Sequence, residues 1–236
     1  MYTSTDAVIL HVTQYGDTSL IVNLFTESSG RTDCIMPRSS GKRSALTAAI
    51  MQPLNIVRAE IRSKPAQDMC RLVSVVPKRI NSNDDMPRLC LRIYIAELLY
   101  RTLRQPLSEH ALFSVIEETA ALIDSEARIA NVHLHFMLRL SEYLGFAPNL
   151  ESQGAYLDME NGVLTNIRPS HPNFLGERLT VLVRELMCPD YSQCSDVAMT
   201  RDERRLLLKN LEYYFSLHIA DFGGMKSTDT LLQLFD

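Results

Sequence analysis

The chain changes its hydrophobic period once, near residue 80, and that change constrains the fold more than any other feature. Before it, apolar residues gather in runs of strand length at 7–12, 19–25 and 31–36, with further runs at 53–62 and 69–76. Gln14-Tyr15-Gly16-Asp17 and Ser28-Ser29-Gly30 separate the first three, and Gly30 suits a turn position with positive φ. Pro37, Ser39, Ser40 and Gly41 then mark a polar loop carrying Arg38, Lys42 and Arg43, and the Ala-rich residues 44–51 suit a short helical turn. Five short strands in residues 1–80 match the count of a small Greek-key barrel of the oligonucleotide/oligosaccharide-binding (OB) kind, although strand count alone leaves the topology open.

The polar, proline-flanked segment 77–87 (PKRINSNDDMP) marks the boundary. Beyond it the period is helical: Leu91, Tyr94, Ile95, Leu98 and Leu99 share a face, as do Leu112, Val115, Ile116 and Thr119. Val132, Phe136, Leu140, Tyr143 and Leu144 repeat the pattern, stopped by Gly145 with Pro148 beyond. Residues 151–176 are irregular, with Tyr156-Leu157-Asp158 and Gly162-Val163-Leu164 suited to a small hairpin. Helices are expected at 177–187, from the Thr200/Glu203 capping box onward, and at 227–235. The chain therefore reads as α+β: a five-stranded domain over 1–80 and a helical domain over 81–236 with a short insertion at 151–176.

Hydrophobic residues make up 46% and charged residues 22%, the balance of a globular protein with a substantial core. No apolar run approaches the roughly 18 residues that span a bilayer, and no basic-then-apolar leader opens the chain, so the cytoplasm is the expected compartment. The five cysteines (34, 70, 90, 188 and 194) are scattered with no CxxC, which points to free thiols rather than a zinc site. The net charge of −4 conceals an asymmetry. Residues 1–80 carry ten Lys/Arg against six Asp/Glu, whereas residues 81–236 carry fourteen against twenty-two. Any contact with a polyanion is expected in the first part.

No catalytic constellation assembles. Lys42 fails the phosphate-loop pattern, because Arg43 stands where Ser or Thr is needed and Met36 where glycine is needed. His133 and His135 lie two apart and so share no helix face, which argues for core or surface roles rather than metal ligation. The adjacent carboxylates Glu117-Glu118, Asp84-Asp85 and Asp202-Glu203 read as a solvated face, a linker and a helix N-terminus. Enzymatic activity is not expected. Along the sequence the aromatics do not interleave with basic residues, so nucleic-acid contact would rest on charge, with steep salt dependence and little base preference.

The order Val8-Ile9-Leu10, Tyr15-Gly16-Asp17, Leu24-Phe25-Thr26, Gly30-Arg31, a basic stretch ending Lys42-Arg43-Ser44, then Gln52-Pro53, resembles the N-terminal domain of the RecO family of bacterial recombination mediators. The resemblance continues through Glu97-Leu98-Leu99 and Leu144-Gly145-Phe146 to Lys226-Ser227 and Leu231-Leu232. It implies an N-terminal OB-fold, a helical C-terminal domain and no catalytic activity. It also implies binding of single- and double-stranded DNA and annealing of complementary strands. With the partner RecR, such proteins help load the RecA recombinase onto DNA covered by single-stranded-DNA-binding protein. The implied setting is the bacterial cytoplasm at the nucleoid, with no membrane contact. The resemblance places DNA contacts at Arg31, Arg38, Lys42 and Arg43; Arg62, Lys64, Lys78 and Arg79 are added on charge alone.

Two departures stand out. Many members carry a four-cysteine zinc module matching residues 158–174; here DMENGVLTNIRPSHPNF has no cysteine, so a metal-free loop or hairpin without a cofactor is expected. The place matching a basic pocket for the acidic tail of single-stranded-DNA-binding protein offers His133, Leu134 and His135, with Arg128 and Arg139 nearby, and leaves the tail without a matched site. A protein-interaction adaptor and an RNA-binding module are the alternative readings, since small barrels host many functions.

Overall fold

Five strands close into a barrel at the start of the chain: β1 (Tyr2–Tyr15), β2 (Ser19–Thr26), β3 (Gly30–Pro37), β4 (Ile56–Arg62) and β5 (Cys70–Arg79), in the order β1-β2-β3-β5-β4. The computed structural model describes residues 1–38, 42–63, 69–79, 85–104 and 110–234, without the side chains of Lys42, Arg43, Cys194 and Leu234. Residues 39–41, Lys64, residues 80–84 of the expected boundary and Phe235 lie outside the described residues. The chain divides into two units, Met1–Asp124 and Ser125–Asp236, so the unit that holds the barrel runs on past the change of period.

All barrel pairings are antiparallel except β3 with β5, joined at Cys34/Cys70 and Ile35/Arg71. With β4 returning to β1, this is the OB-fold. Ala7, Ile9, Val22, Leu24, Cys34, Val57, Ala59, Ile61 and Leu72 fill the interior. The run from Ala7 to Leu10 is apolar throughout rather than alternating because β1 is buried on both faces. Its outer side meets α2 (Met86–Thr102). A bulge between Ile9 and His11 bends β1, and Gly16 and Gly30 take positive φ in the adjoining turns.

α1 (Lys42–Ile50) joins β3 to β4, and Ile50 and Met51 close one end of the core. Buried Asn55 donates from Nδ2 to the carbonyls of Ala49 and Ile50, each at 2.9 Å, satisfying acceptors left open at the helix end. Asp85 caps α2 by accepting from the Arg88 amide, and Pro87 sits in the first turn. Outside the barrel, Phe25 stacks on Phe113 of α3 (His110–Ser125) with ring centroids 6.3 Å apart. Phe25 is thus buried against a helix rather than inside the barrel.

In the second unit, α4 (Val132–Tyr143) is buried on nearly every side, and it ends as expected at Gly145. There the Gly145 amide donates to Glu142 and that of Phe146 to Ser141, the pairing of a left-handed helix stop. α5 (Glu177–Leu186), α6 (Tyr191–Cys194), α7 (Arg201–His218) and α8 (Thr228–Leu234) follow. Thr200 and Glu203 form the capping box that starts α7. The expected hairpin is present as β6 (Tyr156–Asp158) and β7 (Val163–Thr165), and a short third strand, β8 (Phe174–Leu175), adds to β6.

Candidate nucleic-acid interface

The cations of the barrel fall into two groups once their neighbours are known. Arg31, on the outer face of β3, is taken up by the fold. Its Nε donates to Asp33 Oδ1 at 2.7 Å, and Nη1 donates to the carbonyls of Tyr100 (3.2 Å) and Leu103 (3.4 Å) at the end of α2. The guanidinium lies 4.5 Å from the centre of the Tyr100 ring, and the side chain is only 11% exposed. A cation on the last carbonyls of a helix also complements its dipole.

Lys78 is similarly engaged. Its ammonium lies 2.7 Å from Asp6 Oδ2 and 3.0 Å from Glu117 Oε1 of α3. Asp6, nearly buried, also accepts from Arg58 Nε. Burial alone raises the Asp6 carboxyl, and the hydrogen bonds and charges of Lys78 and Arg58 outweigh it, so the group sits below the ordinary carboxylate range. The same contacts, with Asp6 foremost, raise the Lys78 ammonium. Arg79 is more loosely held, 3.9 Å from Asp124, which also pairs with the buried Arg92.

Arg62 and Arg71 contrast with these. Tyr2, Arg62 and Arg71 are register partners across β1, β4 and β5, so their side chains rise from the same outer face. The Arg62 guanidinium lies 5.3 Å from the centre of the Tyr2 ring, and Tyr2 is 65% exposed. Among the described residues neither arginine has a carboxylate within ion-pair distance. Glu60, two residues before Arg62 on β4, accepts from Ser74 Oγ at 2.9 Å. Lys64, two residues beyond Arg62, lies outside the described residues.

Arg38 is also exposed, directly after β3, with its backbone amide bound to the Thr18 carbonyl at 2.8 Å. Its side chain lines a groove of about 320 Å³ with Val12, Leu20, Ser44, Thr47, Ala48 and Met51. Lys42 and Arg43 belong to the first turn of α1, not to the loop expected for them. Both are good helix formers, and the Ala-rich stretch that follows carries the helix back to include them. Sequence reasoning missed Arg71 and Tyr2. Charge pointed to Arg71 as much as to Arg62, but only strand register joins them to Tyr2.

The region expected to replace a metal module is a polar cluster. Asp158 accepts from the amides of Glu160 (2.9 Å) and Asn161 (3.2 Å), His171 Nε2 lies 3.4 Å from Asp158, and Asn173 donates to Glu160 at 2.6 Å. With no thiol in this stretch, these residues do not fit a four-cysteine metal site, and among the described residues no group of three metal-ligating side chains assembles. His133 and His135 are both buried in α4. His135 Nδ1 lies 3.0 Å from the Leu186 carbonyl, and burial drives His133 down to about 3. Nearby, Arg128 pairs with Asp196 and Arg139 with Glu142.

Comparison with known proteins agrees with the fold. The family model for the N-terminal part of recombination protein O matches residues 1–80, and that for its C-terminal part matches residues 83–228. DNA repair protein RecO of Bacteroides fragilis is 31% identical over 244 residues, covering all of both chains. Its counterpart in Phocaeicola vulgatus is 31% identical over 241 residues, and that of Flavobacterium psychrophilum 28% over 240, again over the full length of each. No helix among the described residues is long and apolar enough to cross a membrane. Matched from the barrel to the last helices, the chain belongs to the RecO family, whose role is in DNA repair and recombination.

Proposed function

We propose that the chain is a non-catalytic recombination mediator whose barrel binds single- and double-stranded DNA. The observation that carries this reading is the pair Arg62 and Arg71, exposed side by side with no carboxylate partner among the described residues. Arg38 adds a third exposed cation, and Lys42, Arg43 and Lys64 lie close to these in sequence. Guanidiniums already desolvated by partners have little left to offer a phosphate; these keep their donors. Neutralising the phosphates of one strand lowers its repulsion for a second, which is the physical basis of annealing. The same contact, together with RecR, helps seat RecA on DNA coated by single-stranded-DNA-binding protein. This role calls on no zinc module, since the polar cluster at residues 158–174 has no cysteine.

Fluorescence anisotropy with labelled single-stranded, duplex and RNA oligonucleotides, titrated across salt, tests the reading. Binding to both DNA forms that weakens steeply as salt rises is expected. Failure to bind either DNA at low salt would remove direct DNA contact, and a clear preference for RNA of matched sequence would favour an RNA-binding module.

A further inference from the structure

We propose that Tyr2, Arg62 and Arg71 form a stacking site for unpaired nucleotides, with the Tyr2 ring as base platform and the two guanidiniums as phosphate contacts; this rests on the DNA-binding reading above. A stacking contact is thereby added to the charge-based contact expected from the sequence order. Residue 2 is far along the chain from residues 62 and 71, yet register sets the three on adjacent strands and on one face.

Three features of the row fit a single strand. The ring is the most exposed tyrosine on the barrel, at 65%, although Arg62 lies 5.3 Å from its centre. A guanidinium on one side of an aromatic ring leaves the other for a base and holds a cation where the sugar-phosphate chain must pass. Arg71 extends that charge by one strand spacing, about 4.8 Å. The row beyond, Ser4, Glu60 and Ser74, bounds the positive strip, its one carboxylate engaged by Ser74. Every base has a π-face, so such a site tolerates any sequence. It discriminates instead between unpaired bases and those already stacked in a duplex.

The test uses the full chain, a labelled single-stranded oligonucleotide and a blunt duplex of equal length. Tyr2→Ala is expected to weaken single-strand binding about ten-fold and duplex binding less than about two-fold, with the salt slope unchanged because no phosphate contact is lost. Tyr2→Phe should bind the single strand within about two-fold of wild type, since the ring is what matters. Unfolding midpoints of both variants should match wild type, as expected for an exposed side chain. If wild type binds and Tyr2→Ala binds equally well, the stacking site is overturned while DNA binding stands; equal losses on both substrates overturn it too. If wild type binds neither substrate, the DNA-binding reading itself falls.

Discussion

Two sides of one barrel both carry cations and use them differently. On the side covered by α2 and α3, Arg31 and Lys78 hold helices to strands, through the last carbonyls of α2 and through Asp6 and Glu117. On the exposed side where β4 ends and β5 begins, Arg62 and Arg71 meet an exposed tyrosine and no acid within ion-pair reach among the described residues. The lesson is that a basic count locates a polyanion surface only after the cations serving the fold are set aside.

That division is open to direct attack. The largest effect is expected from reversing charge on the exposed side. The double variant Arg62→Glu, Arg71→Glu should lose about a hundred-fold in single-strand affinity at low salt, roughly 2.7 kcal/mol, with an unchanged urea midpoint. Arg31→Ala should behave oppositely: a stability loss of about 2 kcal/mol by urea unfolding, from two orphaned helix carbonyls and an Asp33 left with only its hydrogen bond from Asn23, with affinity within about two-fold of wild type. A smaller effect, about 1 kcal/mol, is expected from Asp6→Asn, discounted because Lys78 and Arg58 are about half exposed.

The Asp6 carboxyl also predicts a pH dependence. Its folded value lies below the unfolded one, so its contribution is present above about pH 4 and is lost as pH falls through the folded value. Unfolding midpoints followed from pH 7 to pH 2 should therefore converge for wild type and Asp6→Asn at the acid end. Curves that stay parallel would deny Asp6 this role.

Much of the fold was legible in the residues. Alternating and continuous apolar runs located the strands, Gly30 and Gly145 marked chain reversals, and Thr200 with Glu203 marked the start of α7. Local signals suffice there because turns and caps are made by neighbours in sequence. The site was less legible, for the opposite reason. Arg31 and Arg62 look alike in sequence, and what separates them are contacts with Tyr100 in one case and Tyr2 in the other. Whether a cation is taken up or exposed is settled by partners that strand register and helix packing bring from far along the chain. Lys42 and Arg43 illustrate a finer limit: helix starts are hard to place when the residues before an Ala-rich stretch are themselves good helix formers.

The most direct test is the salt slope of single-strand binding for three proteins. Each phosphate contact contributes about 0.7 to the slope of log affinity against log salt. Relative to wild type, the double variant Arg62→Ala, Arg71→Ala should be shallower by about 1.4, whereas Arg31→Ala should keep the wild-type slope. A wild-type slope in the double variant, or a loss of slope in Arg31→Ala, would contradict the division between cations that serve the fold and cations that meet DNA.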